Sequence, residues 1–345
     1  MLALAMTVFL SACADPYPET AGALVMDTVF SVTVYGDHDL PAMLLEAASQ
    51  LDKNVLSRFE NGSIVYGYNN GICGEDLSAD VSGVMIDIGD ILKECEDMRM
   101  SSASAFDARI GQLSDLWNIK GYSGYAGEER DSLPNSGQIE AAMEDRSVID
   151  LGAVGKGIYL DLALEILEGS GAMAAVVSAG GSVLVWGEKP DGSEFKVAVR
   201  DPFSDSSRDA FATIILSGTH FISTSGSYER YFECGGERYH HIINPLTGYP
   251  AWTDEDMERR YYIPPALRSG PAPTYDTVPV SVTVISDSGF YSDALSTACF
   301  VLGPDQGIAF AEKYSSEVIY VMDDGTVITS GGIIYDENMK TFRIA

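Results

Sequence analysis

An α+β fold, made of mainly antiparallel sheets packed with helices, is what this sequence predicts. Three observations carry that expectation. Segments rich in β-branched residues alternate apolar and polar positions. Between Val183 and Ile243 several such segments follow one another with only turn residues between them, as antiparallel strands do. Helices and strands come in alternating groups, not in the strict strand–helix alternation of a doubly wound sheet. A chain of 345 residues that is 46% hydrophobic can bury a sizeable core, and it reads as one large domain or two intimately packed halves.

The first residues, Met1 to Cys13, form an apolar run too short to span a bilayer as a mature helix. Leu10-Ser-Ala-Cys13 resembles the lipobox of bacterial lipoproteins, which would make Cys13 the lipidated residue. An ordinary secretory cleavage site beside a chance cysteine is the alternative, and no Lys or Arg precedes the run. Residues 14–24 then read as a tether and 25–345 as a single domain. The expected location is outside the cytoplasm, lipid-anchored to the cytoplasmic membrane.

Val25 to Tyr35 alternates and predicts a strand. Pro41 to Val55 predicts a helix with Leu44, Leu45, Ala48 and Leu51 on one stripe. Phe59 to Gly74 reads as a surface loop, Val81 to Met100 as a second helix, and Phe106 to Trp117 as a segment of helical spacing that Asp107 would cap. Tyr122 to Asn135 is polar loop. Ile158 to Leu167 is a helix, Ala174 to Ala179 a buried strand, and strands follow at Val183–Trp186, Phe195–Val199, Ala212–Leu216 and His220–Ser223. Tyr228–Glu233 and Arg238–Ile243 flank Gly235-Gly236 as a hairpin. Residues 252–276, with Pro264, Pro265, Pro271 and Pro273 and little periodicity, read as a surface insertion of the kind that can serve as a lid. A strand at Val278–Ile285, helices at Asp293–Leu302 and Pro304–Tyr314, a strand at Val318–Met322 and two short terminal strands complete the chain.

Lys and Arg number 21 against 51 Asp and Glu, a formal charge of -30. Such a field repels nucleic acid, and it means that any phosphate ligand needs local cations or a carboxylate-bound divalent metal. Cys73, Cys95, Cys234 and Cys299 show no C-x-x-C and no zinc spacing. Buried free thiols are expected; a pair such as Cys73 and Cys234 is the alternative outside the cytoplasm.

Three stretches carry chemistry. Val148 to Asp161 runs from a short apolar strand through Gly152, Ala153, Gly155 and Gly157 into a helix, with Lys156 at its mouth. Small residues allow close backbone approach to an anion at the unpaired amides, although a purely structural turn has the same composition. Asp293 and Thr297 stand at i, i+4, so that both oxygens can face one hard cation, unless they cap and satisfy the helix locally. His240 and His241 lie on a strand and face opposite ways, so one at most reaches a given site and a structural imidazole is the competing reading.

These pieces together resemble the ApbE family of flavin transferases. Met26-Asp-Thr is similar to its opening strand, and Ser57-Arg-Phe-Glu-Asn-Gly-Ser63 with Asn69 to its Ser-x-Tyr-x-x-x-Ser…Asn loop. Ala105-Phe-Asp107 with Gly111, Leu113 and Trp117, and Asp150-Leu-Gly-Ala-Val-Gly-Lys-Gly157, are similar to its flavin-binding segments. Ala179-Gly-Gly181, Arg200-Asp-Pro202, Thr224 to Tyr228, His241-Ile-Ile-Asn-Pro-Leu-Thr-Gly248 and Asp293-Ala-Leu-Ser-Thr297 follow in order. The resemblance implies a T-fold-like α+β protein that binds FAD and Mg²⁺ and transfers FMN to a threonine hydroxyl of an acceptor flavoprotein subunit, releasing AMP. It implies a metal held by Asp293, Thr297 and the carbonyl of Ala153, with Asp293 and His241 as the catalytic residues and His241 as the base. Met26, Phe59, Ala105, Phe106, Asp107, Asp150, Lys156, Gly180, Gly181, Ser225 and Ile243 would contact the nucleotide. The chain departs from the family pattern at Phe59, which stands for Tyr, at Ala108-Arg109, which stand for Pro-Thr, at Ser178 and Ser182 beside the glycine pair, and in the length of 252–276. An FAD pyrophosphatase giving FMN and AMP, and a lipid-anchored flavin-binding protein without transfer, are the rival functions.

Overall fold

A hairpin opens the computed structural model, which describes residues 17–72, 74, 77–119, 128–206, 208–262 and 276–345. Strands β1 (Pro18–Val25) and β2 (Thr28–Tyr35) are joined by Met26 and Asp27, both with positive φ, 49° and 55°. That is the backbone of a two-residue turn whose twist matches the strands. Helix α1 (Leu40–Leu51) continues through a π turn (Asp52–Leu56), and α2 (Ile64–Asn69), the hairpin β3 (Ser78–Val81) and β4 (Val84–Asp87), α3 (Ile88–Ser101) and α4 (Gly111–Trp117) follow. Next come β5 (Glu128–Glu129), α5 (Ser136–Glu144), α6 (Gly155–Glu168), β6 (Ala174–Ala179), β7 (Ser182–Gly187), β8 (Phe195–Arg200), β9 (Ala210–Leu216) and β10 (His220–Gly226). The rest is β11 (Tyr231–Cys234), β12 (Glu237–His240), α7 (Asp254–Tyr262), β13 (Pro279–Ser286), α8 (Gly289–Leu302), α9 (Pro304–Glu312), β14 (Glu317–Met322), β15 (Val327–Thr329), β16 (Ile333–Asp336) and β17 (Thr341–Ile344).

The main sheet has the order β1-β2-β6-β7-β10-β13-β14-β15 with every neighbouring pair antiparallel, as the α+β expectation requires. Strand alternation gives it two apolar faces. Val32, Val177 and Val284 pack one face on Leu44, Leu160 and Leu295 of α1, α6 and α8. Val185, Ile222, Ile285 and Ile319 pack the other on Phe195, Ile214 and Phe342 of a second sheet, β16-β17-β9-β8. A third, smaller core joins Trp117, Ile139, Phe232 and Tyr239.

Several expected elements differ in kind or extent. Residues 18–24 of the expected tether join Val25 in an edge strand, because Ala21, Ala23 and Val25 alternate inward against the core. The helix expected over Val81–Met100 begins only at Ile88: Ser82 and Gly83 take φ of 55° and 90° and turn the β3–β4 hairpin, and the Asp87 side chain accepts from the Asp90 amide to start α3. The expected loop Phe59–Gly74 contains α2, capped by Ser63 accepting from the Tyr66 amide. A reciprocal capping box between Asn135 and Gln138 starts α5, a helix the composition hides. Three short strands, not two, end the chain.

The described part of 252–276 is no loose insertion. In α7, Asp256 and Arg260 are buried and ion-paired at 2.6 Å. The helix therefore buries a charged pair where an apolar stripe would be expected, which is why apolar periodicity misses it. Residues 263–275, and with them most of the expected lid, lie outside the described residues, as do Cys13 and Cys73. Cys95 and Cys299 are buried free thiols and Cys234 is a half-buried one.

Candidate functional site

The glycine-rich stretch is threaded before it turns. Asn69 holds the extended backbone at Ile149 like a strand partner, donating to its carbonyl at 2.9 Å and accepting from its amide at 2.8 Å. The Asp150 amide donates to the Ala108 carbonyl at 2.8 Å, which ties this stretch to the Ala105–Asp107 segment. Asp150 then accepts from the Gly152 amide at 2.9 Å, an Asx turn that redirects the chain into α6.

At the mouth of α6 the first-turn amides need partners from elsewhere. Gly157 N–H donates to Asp293 Oδ2 at 3.0 Å, and Lys156 Nζ lies 3.1 Å from Asp293 Oδ1. Ser182 Oγ donates to the same Oδ1 at 3.2 Å. Asp293 is buried on α8, so its charge is met by an ammonium, an amide and a hydroxyl. Of the small residues in the stretch, Gly157 is the one that sterics demand: a Cβ there would collide with the Gly289 carbonyl, whereas one on Gly155 would make ordinary contacts with Leu56 and Met26. Because the Gly157 amide points at Asp293, it does not close the helix on the carbonyl of Ala153.

Strand β10 lies beside α8 in a matched register. Ser223 bonds Ser292 at 2.9 Å and Ser225 bonds Ser296 at 2.8 Å, with Thr297 Oγ1 3.4 Å from Ser225 Oγ. Two residues of strand rise about 6.6 Å and four of helix about 6 Å, so the hydroxyls stay paired. The turn Gly180-Gly181 closes this side. Gly180 has a φ of 58° and leaves room for Thr28, while Gly181 lies under the Thr224 carbonyl. Lys156, Gly157, Asp293, Thr297, Ser182, Ser225 and the glycine pair thus gather around one point, with Met26 neighbouring Gly155.

Phe59 is exposed, with the Arg58 guanidinium 4.6 Å over its ring. Arg58 is a residue the motif reading passed over. It pairs with Asp115, lies 3.6 Å from Asp150 and donates to the Gly111 carbonyl at 3.3 Å, so it fixes the Phe59 loop to the glycine stretch. Asp107 is buried; its Oδ1 accepts from the Arg109 amide at 2.8 Å, and its Oδ2 lies 2.7 Å from Arg146 in an ion pair off the hydrogen-bond direction. Phe106 and Ile243 are core side chains, so only their backbones are available to a ligand.

The two histidines divide as strand geometry predicts. His240 is buried; Nε2–H donates to the Ala251 carbonyl at 2.8 Å and Nδ1 accepts from the Ile242 amide at 3.2 Å, which fixes a neutral tautomer. Burial pushes its pKa down to about 4. His241 is exposed, and its Nδ1 lies 3.3 Å from the Arg230 carbonyl. A carbonyl can only accept, so Nδ1 carries the proton and Nε2 offers a lone pair. Crowding by surrounding protein, then His240, Arg230 and Lys156, holds the His241 pKa below the ordinary histidine range. The water contact kept by its exposure softens that depression without reversing it.

The loop after His241 is anchored by residues the sequence did not single out. Asp256 accepts from Asn244 Nδ2 at 2.8 Å, from Thr247 Oγ1 and from the Trp252 amide at 2.8 Å. Its partner Arg260 donates to the Val301 carbonyl at 2.7 Å, Trp252 Nε1 to the Phe300 carbonyl at 2.6 Å, and Trp117 Nε1 to the Gly248 carbonyl at 2.7 Å. The His241 loop is therefore bolted to the far end of α8, the helix that carries Asp293.

Among the described residues no three His, Cys, Asp or Glu side chains gather as a metal cage. One carboxylate, one hydroxyl and one carbonyl are all hard oxygen donors, a partial set that suits a cation completing its shell with phosphate oxygens and water. Lys156 already shares Asp293, so a divalent cation there would need an anionic ligand to balance the two positive groups.

The model of the ApbE family matches residues 26–255 and 272–322. A Treponema pallidum protein named FAD:protein FMN transferase is 27% identical, across 90% of this chain and 86% of its own length. A Vibrio cholerae protein of the same name is 25% identical, across 94% of each. The crystal structure of the ApbE protein from Thermotoga maritima superposes with a TM-score of 0.71 at 24% identity, covering 91% of this chain and 97% of that one, which shows the shared fold. Among the described residues no helix is long and apolar enough to cross a membrane.

Proposed function

Because this chain belongs to the ApbE family, we propose that it is an FAD:protein FMN transferase, attaching FMN from FAD to a threonine hydroxyl of an acceptor flavoprotein and releasing AMP. The observation that carries this reading is the convergence of Asp293, Lys156 and the N-terminus of α6 at one point, with Thr297 one helical turn along α8. A pyrophosphate is the ligand whose charge such a point suits.

Asp293, Thr297 and the Ala153 carbonyl are the groups that would hold Mg²⁺, which when bound polarises the pyrophosphate and offsets charge developing on it. Lys156 and the α6 amides add fixed positive potential on the same side. Met26, Phe59, Asp150 and the Ala105–Asp107 backbone line the approach for the nucleotide's rings and ribose. The acceptor hydroxyl attacks the phosphorus on the FMN side, the bond to the AMP oxygen breaks, and Nε2 of His241 takes the hydroxyl proton. An anionic substrate beside His241 raises its basicity from the depressed value of the free protein.

Export and lipid attachment through Cys13 belong to the same reading, supported by Leu10-Ser-Ala-Cys13. Incubation with FAD and Mg²⁺, with and without an acceptor subunit, tests the reaction by following AMP and protein-bound FMN together. Equal release of AMP and attachment of FMN is expected. AMP release at many turnovers without attachment would make the protein an FAD pyrophosphatase, and retention of intact FAD would make it a flavin carrier.

A further inference from the structure

Glu96, Arg99, Arg109 and Arg146 line an open cavity of about 480 Å³ that involves none of the residues around Asp293. Its size falls within the roughly 300–1,000 Å³ of small-molecule sites. Three guanidiniums facing one space repel each other, and this chain has only 21 Lys and Arg against 51 Asp and Glu, so such a concentration is not drawn from a surplus. The local carboxylates do not balance it. Glu96 is held in a fork by Arg99, at 2.9 Å to Nε and 2.5 Å to Nη2, and Asp107 lies with Arg146 at 2.7 Å. Among the described residues the Arg109 guanidinium has no carboxylate within ion-pair distance. All three cations act on the same space: hydrogen bonding to Arg99, then the charges of Arg99, Arg146 and Arg109, hold the Glu96 carboxyl below its ordinary range.

We propose that this cavity is a binding site for a small phosphate-bearing anion, with Arg109 and Arg146 as its principal donors. A planar carboxylate saturates one guanidinium fork, whereas the three oxygens of a phosphate can engage several at once. A small ligand is favoured over an acidic protein surface because the field of a chain at -30 repels an extended polyanion, while a dianion inside the cavity is governed by the guanidiniums within a screening length of about 8 Å. Arg109 supplies the unpaired charge.

The cavity shares no lining residue with the site at Asp293, although Arg146 pairs with Asp107 beside the nucleotide's approach, and calorimetry on the full chain separates the two. Inorganic phosphate and AMP are titrated separately at fixed ionic strength into the wild type, Arg109→Gln, Arg109→Lys and Asp293→Ala. The expected result is saturable one-site binding that weakens about tenfold or more in Arg109→Gln and at high salt, recovers in part in Arg109→Lys, and is unchanged in Asp293→Ala. Tighter binding of AMP would identify a nucleotide as the source of the phosphate, and equal binding the free ion. Absence of saturation with both titrants, or binding kept in Arg109→Gln and lost in Asp293→Ala, would overturn the proposal.

Discussion

Asp161 and Asp293 cap each other's helices. Asp161, on α6, accepts from the Gly289 and Phe290 amides at the start of α8, both at 2.7 Å; Asp293, on α8, accepts from the Gly157 amide at the start of α6 at 3.0 Å. The two helix mouths approach so closely that a Cβ on either Gly157 or Gly289 would collide with the other's carbonyl. Each helix thus supplies the charge that the other's orphan amides require, and the point where Asp293 meets Lys156 is held from both sides.

The lock can be opened from the half that carries no proposed chemistry. Asp161→Asn keeps the shape but removes the charge from the cap, and it should cost about 1–2 kcal/mol in urea unfolding. Gly289→Ala should cost about 1–3 kcal/mol through overpacking and should also displace Asp293 from the α6 mouth, so transfer activity falls further than in Asp161→Asn. Comparing unfolding midpoints with FMN transfer on the same samples checks the order.

Asp256 and Arg260 make a second structural prediction. Arg260→Met removes one member of a buried pair and leaves Asp256 facing Asn244, Thr247 and the Trp252 amide with an uncompensated charge. Losses of about 3–5 kcal/mol are typical of such a break. Removing both charges, in Asp256→Asn with Arg260→Met, should recover part of that loss. A thermal scan of the two variants distinguishes a buried ion pair from a merely bulky contact, since the latter would show no recovery.

His240 gives stability a pH dependence. Its folded pKa is depressed to about 4, below the ordinary histidine value of 6.5, so the unfolded chain binds its proton first. The contribution is present above pH 6.5 and is lost as pH falls toward 4, amounting to about 2 kcal/mol between pH 7 and pH 5. Urea denaturation at those two pH values should show a smaller decrease in His240→Gln than in the wild type.

Much of the architecture was legible in the sequence where a single period dominates. Strands β6, β9 and β13 and helices α6 and α8 follow their apolar patterns, and the antiparallel middle of the chain appears as expected. What pattern reading missed has physical causes. The β1 strand is exposed at most positions, α2 and α5 are short helices started by side-chain caps, and α7 buries an ion pair instead of an apolar stripe. Within the site, Asp293, Thr297, Lys156 and Gly157 were marked by spacing and motif. Arg58 and Asp161 were not, because their partners lie far away in sequence and no local period connects Asp161 to amides more than a hundred residues on. Asp256 was not, because its nearby partners are polar groups that no apolar period marks.

Titration of FAD into the metal-free protein, repeated with Mg²⁺ and then with Asp293→Asn, tests the central claim most directly. If Asp293 is the carboxylate of a metal–pyrophosphate site, Mg²⁺ tightens FAD binding to the wild type about tenfold or more and leaves Asp293→Asn unaffected. Equal FAD affinity in the wild type with and without Mg²⁺ would contradict it.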